Sequence, residues 1–319
     1  MAARSFARPV VFVSRCLGFA ACRYDGVAIG NDLVEAMRGH VEFRAVCPEM
    51  AVGLGVPREK IRIVRAGGDK LRLVQPATGR DLTDAVTRFA ELRLNSASGL
   101  HGFILKSRSP SCGISDAKTY SRTDAKNPVG RGAGIFAAAA LRKFPDLPIE
   151  DEARLADPRL REHFLTRLFT QAAFEAVAQT RSLKALVQFQ AANDVLLEAY
   201  SRKDAAELRH IVANRERHSL DALLPDYRAR LAEALARPAR AGANVTALLR
   251  AMESLSNPPH AREKARFLAA IEKYRAGKLP LSAPRRILRA WIAENPDEKS
   301  LARQTFFEPY PEALDAPHN

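Results

Sequence analysis

The chain has 319 residues, 47% of them hydrophobic, with 50 Lys+Arg against 36 Asp+Glu, a formal net charge of +14 and a pI near 10. No run of about 18 apolar residues occurs, which excludes a membrane-spanning helix, and four cysteines in a chain this long without a secretion signal do not make a disulfide framework. The length predicts two domains, each with its own core, and the charge predicts a polyanionic partner. Residues 1–9 carry Arg4 and Arg8, and the apolar stretch 10–13 is too brief for a signal-peptide core, so a cytoplasmic location is expected. Residues 10–13 read as a strand. A helix over 32–38, capped by Asn31, follows, then an alternating strand over 41–46. Residues 60–65 and 71–74 flank Ala66-Gly67-Gly68-Asp69 as a hairpin. A helix over 83–94, a strand over 102–106 and a helix over 135–144 complete the first half. This β/α alternation predicts a mostly parallel sheet with flanking helices. From residue 157 onward the period is helical, over 159–178, 183–200, 205–215, 220–236, 244–255, 260–276 and 284–294. Pro225 is expected to kink or split the fourth of these, and Ser256-Asn257-Pro258-Pro259 to form a turn. The fold class is therefore an α/β N-terminal domain followed by an all-α C-terminal domain. The polar segment 179–184 sets the boundary, giving domains 1–180 and 181–319.

Every cysteine lies in the first 112 residues. Cys16 follows the first strand, Cys47 the second, and Cys112 the strand over 102–106. Sites in open α/β sheets form beyond the carboxyl ends of strands, so these three thiols are expected to converge there. Buried, inert cysteine is the commoner fate of a free thiol, but each of these sits in a loop containing Gly, Pro or Ser. The spacing Cys16-x5-Cys22, Cys47, Cys112 matches neither a zinc ribbon nor the tight ferredoxin run. Gly53-Leu54-Gly55 and Gly130-Arg131-Gly132-Ala133-Gly134 fit no phosphate-loop pattern and read as close backbone packing.

Three ordered blocks carry a resemblance. Cys-Leu-Gly-Phe-Ala-Ala-Cys-Arg-Tyr-Asp-Gly (16–26), Cys-Pro-Glu-Met-Ala-Val-Gly-Leu-Gly-Val-Pro-Arg (47–58) and Gly-Phe-Ile-Leu-Lys-Ser-Arg-Ser-Pro-Ser-Cys-Gly (102–113) resemble the signature blocks of the thiouracil desulfurase family. Gly277-Lys278-Leu279-Pro280-Leu281 and Gln304-Thr305-Phe306-Phe307-Glu308-Pro309-Tyr310-Pro311 are similar to the helical domain often fused to it, an arrangement seen in two-domain tRNA 4-thiouridine desulfidases. The resemblance implies that Cys16, Cys47 and Cys112 ligate a [4Fe-4S] cluster whose fourth iron is open to a thiocarbonyl sulfur. It makes Glu49 the general acid/base and Ser109 or Ser111 its partner in positioning or proton transfer. Cys22 stands outside the obligatory set, as a spare thiol or a fourth ligand of a resting state. Arg23, Tyr24 and Asp25 are candidates to line the substrate pocket, or a loop held by Asp–Arg hydrogen bonds. Lys106 and Arg108, in the third block, are further candidate substrate contacts. The implied reaction is hydrolytic: the metal polarises the C=S bond as a soft Lewis acid, water adds to the carbon, Glu49 takes its proton, and hydrosulfide departs without net redox change.

The basic excess is spread over both halves, with 23 basic against 14 acidic residues in 1–150 and 21 against 11 in 181–290. Arg262 and Arg266, four apart, share one helix face, and such faces contact phosphates without reading sequence. Taken with the substrate that the resemblance implies, the expected partner is tRNA, with the thiolated base accessible or flipped out. Competing readings are a desulfurase of free thiouracil, a non-catalytic iron–sulfur sensor that binds nucleic acid and needs Cys22 as fourth ligand, and a structural zinc protein.

Overall fold

The computed structural model describes residues 4–68, 70–257, 259–295 and 297–315. Residues 8–157 form one compact unit, and residues 158–315 with residues 4–7 form a second.

The first unit is α/β, as its sequence period predicts. In chain order it contains β1 (Val10–Ser14), α1 (Asp32–Met37), β2 (Glu42–Val46), α2 (Pro48–Ala51), β3 (Arg62–Arg65), β4 (Leu71–Gln75), β5 (Arg80–Asp81), α3 (Thr83–Asn95), β6 (Gly102–Leu105), β7 (Ala117–Tyr120), β8 (Gly130–Gly132), α4 (Ile135–Lys143) and β9 (Ile149–Asp151). Four strands pair in the order β2-β1-β6-β9, all parallel. A parallel sheet covered on both faces reads as continuous apolar runs, and Val11, Phe12 and Val13 of β1 and all of β6 are buried accordingly. Phe12 and Phe103 meet edge-on at 5.5 Å, and Ala90 and Leu94 of α3 pack in the same core as Phe136, Ala137 and Ala140 of α4. The Asn31 side chain accepts from the Val34 N–H at 2.9 Å and starts α1 as expected. Strand order reverses between β1 and β6, which opens a crevice at their carboxyl ends.

A second sheet departs from the sequence reading. The hairpin β3–β4 forms, with Ile63 opposite Leu73, but it joins a five-stranded sheet of order β5-β4-β3-β7-β8 instead of the parallel one. Its strands β7 (AKTY) and β8 (GRG) are too short and too polar to show a period. Asp69 of the expected hairpin turn lies outside the described residues.

The second unit is helical: α5 (Pro158–Gln179), α6 (Leu183–Tyr200), α7 (Arg202–Ala213), α8 (Leu220–Ala234), α9 (Ala241–Glu253), α10 (Ala261–Arg275), α11 (Ser282–Glu294) and α12 (Lys299–Arg303). The polar segment 179–184 lies inside this unit, between α5 and α6, where Ser182 caps α6 by accepting from the Ala185 N–H. Of the two outcomes expected at Pro225, a kink or a split, the split does not occur: α8 runs as one helix from Leu220 to Ala234. Proline removes one N–H, and the burial of Leu223, Leu224, Tyr227 and Leu231 along α8 outweighs that loss. Pro258 of the expected turn lies outside the described residues. One core gathers Phe174, Leu186 and Tyr227, another Phe267, Leu288, Trp291 and Phe306. Residues 4–7 belong here: Arg4 donates to the carbonyls of Gln304 and Glu308, both at 3.2 Å, and Phe6 meets Phe169 at 6.0 Å. Among the described residues no helix is long and apolar enough to cross a membrane.

Candidate active site

The crevice beyond the parallel sheet opens into a cavity of about 630 Å³, within the range of small-ligand pockets. Its wall is built by strand ends. β1 runs into Ser14, Arg15 and Cys16, β2 into Cys47 and Glu49, and β6 into the turn from Lys106 to Cys112. All four cysteines line it, Cys22 included. The three thiols expected to converge thus share one cavity.

Each thiol is shifted toward its neutral form. Burial pushes Cys16 up to about 11, helped by the neighbouring Cys47. Burial pushes Cys47 up to about 12, against the pull of the Met50 amide in α2. Cys112 is raised well above the ordinary thiol range, again by burial, with the Ser14 hydroxyl opposing. Burial also raises Cys22, with the neighbouring Cys16 adding to the rise and Cys47 opposing it. Buried thiols of this kind are inert as they stand and become thiolates where a metal replaces the proton. Among the described residues no group of three or more His, Cys, Asp or Glu is drawn together as a single ion requires. A multi-iron cluster is bonded at its corners and takes thiolates that stand farther apart, and an all-sulfur donor set suits it.

Glu49 is held from two sides. Pro48 starts α2 and puts Glu49 in its first turn, directly after Cys47 at the N-cap. Its carboxylate accepts from Arg58 Nη2, and from Ser111 Oγ at 3.0 Å. Arg58 is almost wholly buried, with a side chain 3% exposed, and its guanidinium also donates to the Cys22 carbonyl at 3.1 Å and the Gly55 carbonyl at 2.8 Å. One arginine thus ties the Cys22 loop to the carboxylate. The two candidate serines divide their work. Ser111 is fully buried and orients Glu49, whereas Ser109 lines the cavity, accepts from the Ser111 and Cys112 N–H groups at 3.2 and 3.0 Å, and reaches Glu49 only at 3.5 Å.

The candidate substrate contacts separate in the same way. Arg23, Tyr24, Lys106 and Arg108 line the cavity. Asp25 instead clasps its own loop, accepting from Arg23 at 3.0 Å and from the Val27 N–H at 3.2 Å. Lys106 pairs with Glu152, which also accepts from the Ser107 N–H at 2.8 Å and the Ser107 hydroxyl at 2.6 Å. Arg108 has a φ of 58°, a left-handed conformation rare for a side chain of its size, and its N–H donates to Asp116 at 2.7 Å.

Sequence reasoning missed Arg58 and Glu152. Arg58 closes the second block, but nothing local shows that its side chain turns back to Glu49. Glu152 stands directly after β9, as Cys47 stands after β2, so recognising that three-residue strand would have pointed to it.

The glycines also sort by geometry. Gly53 and Gly55 have φ of 76° and 68° with nothing within 4 Å, so they serve left-handed turns and not the close packing expected. Gly134 does pack closely: a Cβ there would lie 2.5 Å from Ser111 C and 2.7 Å from Pro110 O. At this point the start of α4 holds the cysteine turn, with the Gly134, Ile135 and Phe136 N–H groups donating to the carbonyls of Gly113, Pro110 and Ser111 at 2.8, 3.1 and 3.0 Å. Gly134→Ala is expected to destabilise the α/β unit by about 1–3 kcal/mol in urea denaturation. Gly132→Ala, where nothing lies within 4 Å, is the control expected to stay near neutral.

Residues 11–152 match the model of the 2-thiouracil desulfurase family, and residues 195–311 match that of a protein family of unknown function, DUF1722. YbbK, an uncharacterized protein of Bacillus subtilis (strain 168), is 29% identical over 154 residues, which cover 46% of this chain and 99% of YbbK. Among solved structures, the [4Fe-4S]-dependent thiouracil desulfidase TudS aligns at 31% identity, covering 49% of this chain and 97% of its own, with a TM-score of 0.38.

Proposed function

From the premise that the chain belongs, through residues 11–152, to the 2-thiouracil desulfurase family, we propose that it is a desulfidase acting on thiolated uracil, and specifically on 4-thiouridine in tRNA, in the cytoplasm. Cys16, Cys47 and Cys112 would hold a [4Fe-4S] cluster, the soft donor set and the shared cavity being what such a group needs. When bound, that cluster supplies a soft Lewis acid for a thiocarbonyl sulfur. The rest falls to the protein. Glu49 accepts a proton from water as its oxygen adds to the thiocarbonyl carbon. Arg58 and Ser111 keep the carboxylate aimed. Ser109 holds the turn that carries Cys112. The overall conversion is C=S plus water to C=O plus hydrogen sulfide, with no electron gained or lost.

The observation that favours a nucleic-acid substrate is the charge of the wall. Arg15, Lys60, Arg108 and Lys118 line the cavity with no acid partner among the described residues, beside the rings of Tyr24 and Tyr120. Unpaired cations around this cavity suit a base still attached to phosphates, and a free base would leave them without purpose.

The test is desulfuration of 4-thiouridine-containing tRNA by anaerobically purified, cluster-reconstituted protein, read by nucleoside analysis. Uridine is the expected product. Conversion of free thiouracil alone would restrict the substrate to the small molecule. No conversion of either by fully loaded protein would sink the enzymatic reading and leave the iron–sulfur sensor.

A further inference from the structure

Ser14 ends β1, the strand between β2 and β6, and is only 1% exposed. The β1–β6 ladder runs from Val11 opposite Gly102 to Val13 opposite Ile104. Past its end a side chain takes over: the Lys106 N–H donates to Ser14 Oγ at 2.8 Å. A serine hydroxyl also has one proton of its own to give. Among the described residues no oxygen or nitrogen accepts that proton, and a buried donor without an acceptor is costly.

The strand shows where the hydroxyl is aimed. Side chains two apart share a face, and Phe12, on the Ser14 face of β1, packs in the same core as Cys112. Ser14 and Cys112 also line the same cavity. The Cys112 sulfur is the acceptor on that side, and the hydroxyl draws its thiol down against the rise from burial. The other two sulfurs, also raised chiefly by burial, are eased by different groups, Cys47 by the Met50 amide and Cys16 by the charge of Lys106.

We propose that Ser14 is a positioning residue of the metal site: its hydroxyl donates to the Cys112 thiolate while its oxygen anchors the turn from Lys106 to Cys112. The inference rests on Cys112 being a cluster ligand. A thiolate is a far stronger acceptor than a thiol, so a metal-bound Cys112 supplies what the hydroxyl lacks. A hydrogen bond to a ligand sulfur draws electron density away from the metal. It favours the reduced, more negative state and so raises the reduction potential.

The test is resonance Raman spectroscopy in ordinary and heavy water, with redox titration, of full-length protein reconstituted with iron and sulfide. Deuterium on the Ser14 hydroxyl is expected to shift an iron–thiolate stretching band in wild type. Ser14→Ala is expected to lose that shift and to move the midpoint potential to a more negative value. Ser14→Thr, which keeps the hydroxyl, is expected to retain both wild-type signatures. Loss of the Lys106 anchor alone would lower the melting temperature of the cluster-free chain and leave band and potential where they were. A loaded wild type without the deuterium shift overturns the inference, as does Ser14→Ala with wild-type shift and potential, or Ser14→Thr that behaves like Ser14→Ala. Wild-type protein that takes up no iron overturns the cluster assignment and this inference with it.

Discussion

Glu49→Gln is expected to lower turnover by roughly two to four orders of magnitude, the usual contribution of a positioned general base, while cluster absorbance and iron content stay at wild-type levels. Glutamine keeps the size of the side chain and an oxygen that can accept from Ser111, now 3.0 Å away, and from Arg58. What it removes is the negative charge and the ability to take a proton from water. The α2 turn is retained, because Pro48 and the Cys47 N-cap set it, not the Glu49 side chain. Arg58→Met is the informative comparison. It leaves the carboxylate in place but strips its buried counter-charge, and breaking a buried pair costs on the order of 3–5 kcal/mol. That variant is expected to lose thermal stability together with activity, whereas Glu49→Gln loses activity with a much smaller change in Tm. Single-turnover desulfuration and thermal melts on the same preparations separate the two. Wild-type turnover by Glu49→Gln would remove the carboxylate from the chemistry.

The parts of this molecule that sequence revealed are those encoded locally. Residues 10–13 and 102–105 are apolar without interruption because parallel strands bury both faces, and that run is visible in one dimension. Cys16 and Cys47 follow directly from strand ends, and Cys112 lies in the turn after β6. The helices of the second unit announce themselves by period, while the serine caps at Ser182 and Ser201 went unread and α7 starts at Arg202, three residues before its expected start. What escaped is encoded by distance. Arg58 reaches back 9 residues to Glu49 and 36 to the Cys22 carbonyl, a role that exists only after folding. β8 is Gly-Arg-Gly, with no apolar side chain to mark a strand, and it is defined by its pairing with β7. Pro225 does not split α8, because the apolar face that the helix buries outweighs one missing N–H.

Cysteine replacement carries the second large effect, and its discriminating member is Cys22. Cys16→Ser, Cys47→Ser and Cys112→Ser are each expected to fall well short of the about four irons per chain that a [4Fe-4S] cluster contributes, and to lose desulfuration. Serine is a harder donor with a higher pKa and does not replace thiolate toward iron. The three positions come from the segments that follow three adjacent strands of one sheet, so each is placed by the backbone of β1, β2 or β6. Cys22 is different in kind. It lies not at a strand end but in a loop fastened by Arg58 through the Cys22 carbonyl, a contact that serine at this position preserves. Cys22→Ser is therefore expected to keep its iron, its absorbance and most of its activity. Iron and sulfide analysis after anaerobic reconstitution decides the matter. If Cys22→Ser loses the cluster as fully as the other three, four thiolates hold the metal and no iron is left open to a substrate sulfur. The hydrolytic mechanism would then give way to a sensor with a closed cluster, and Glu49 would be left as a structural partner of Arg58.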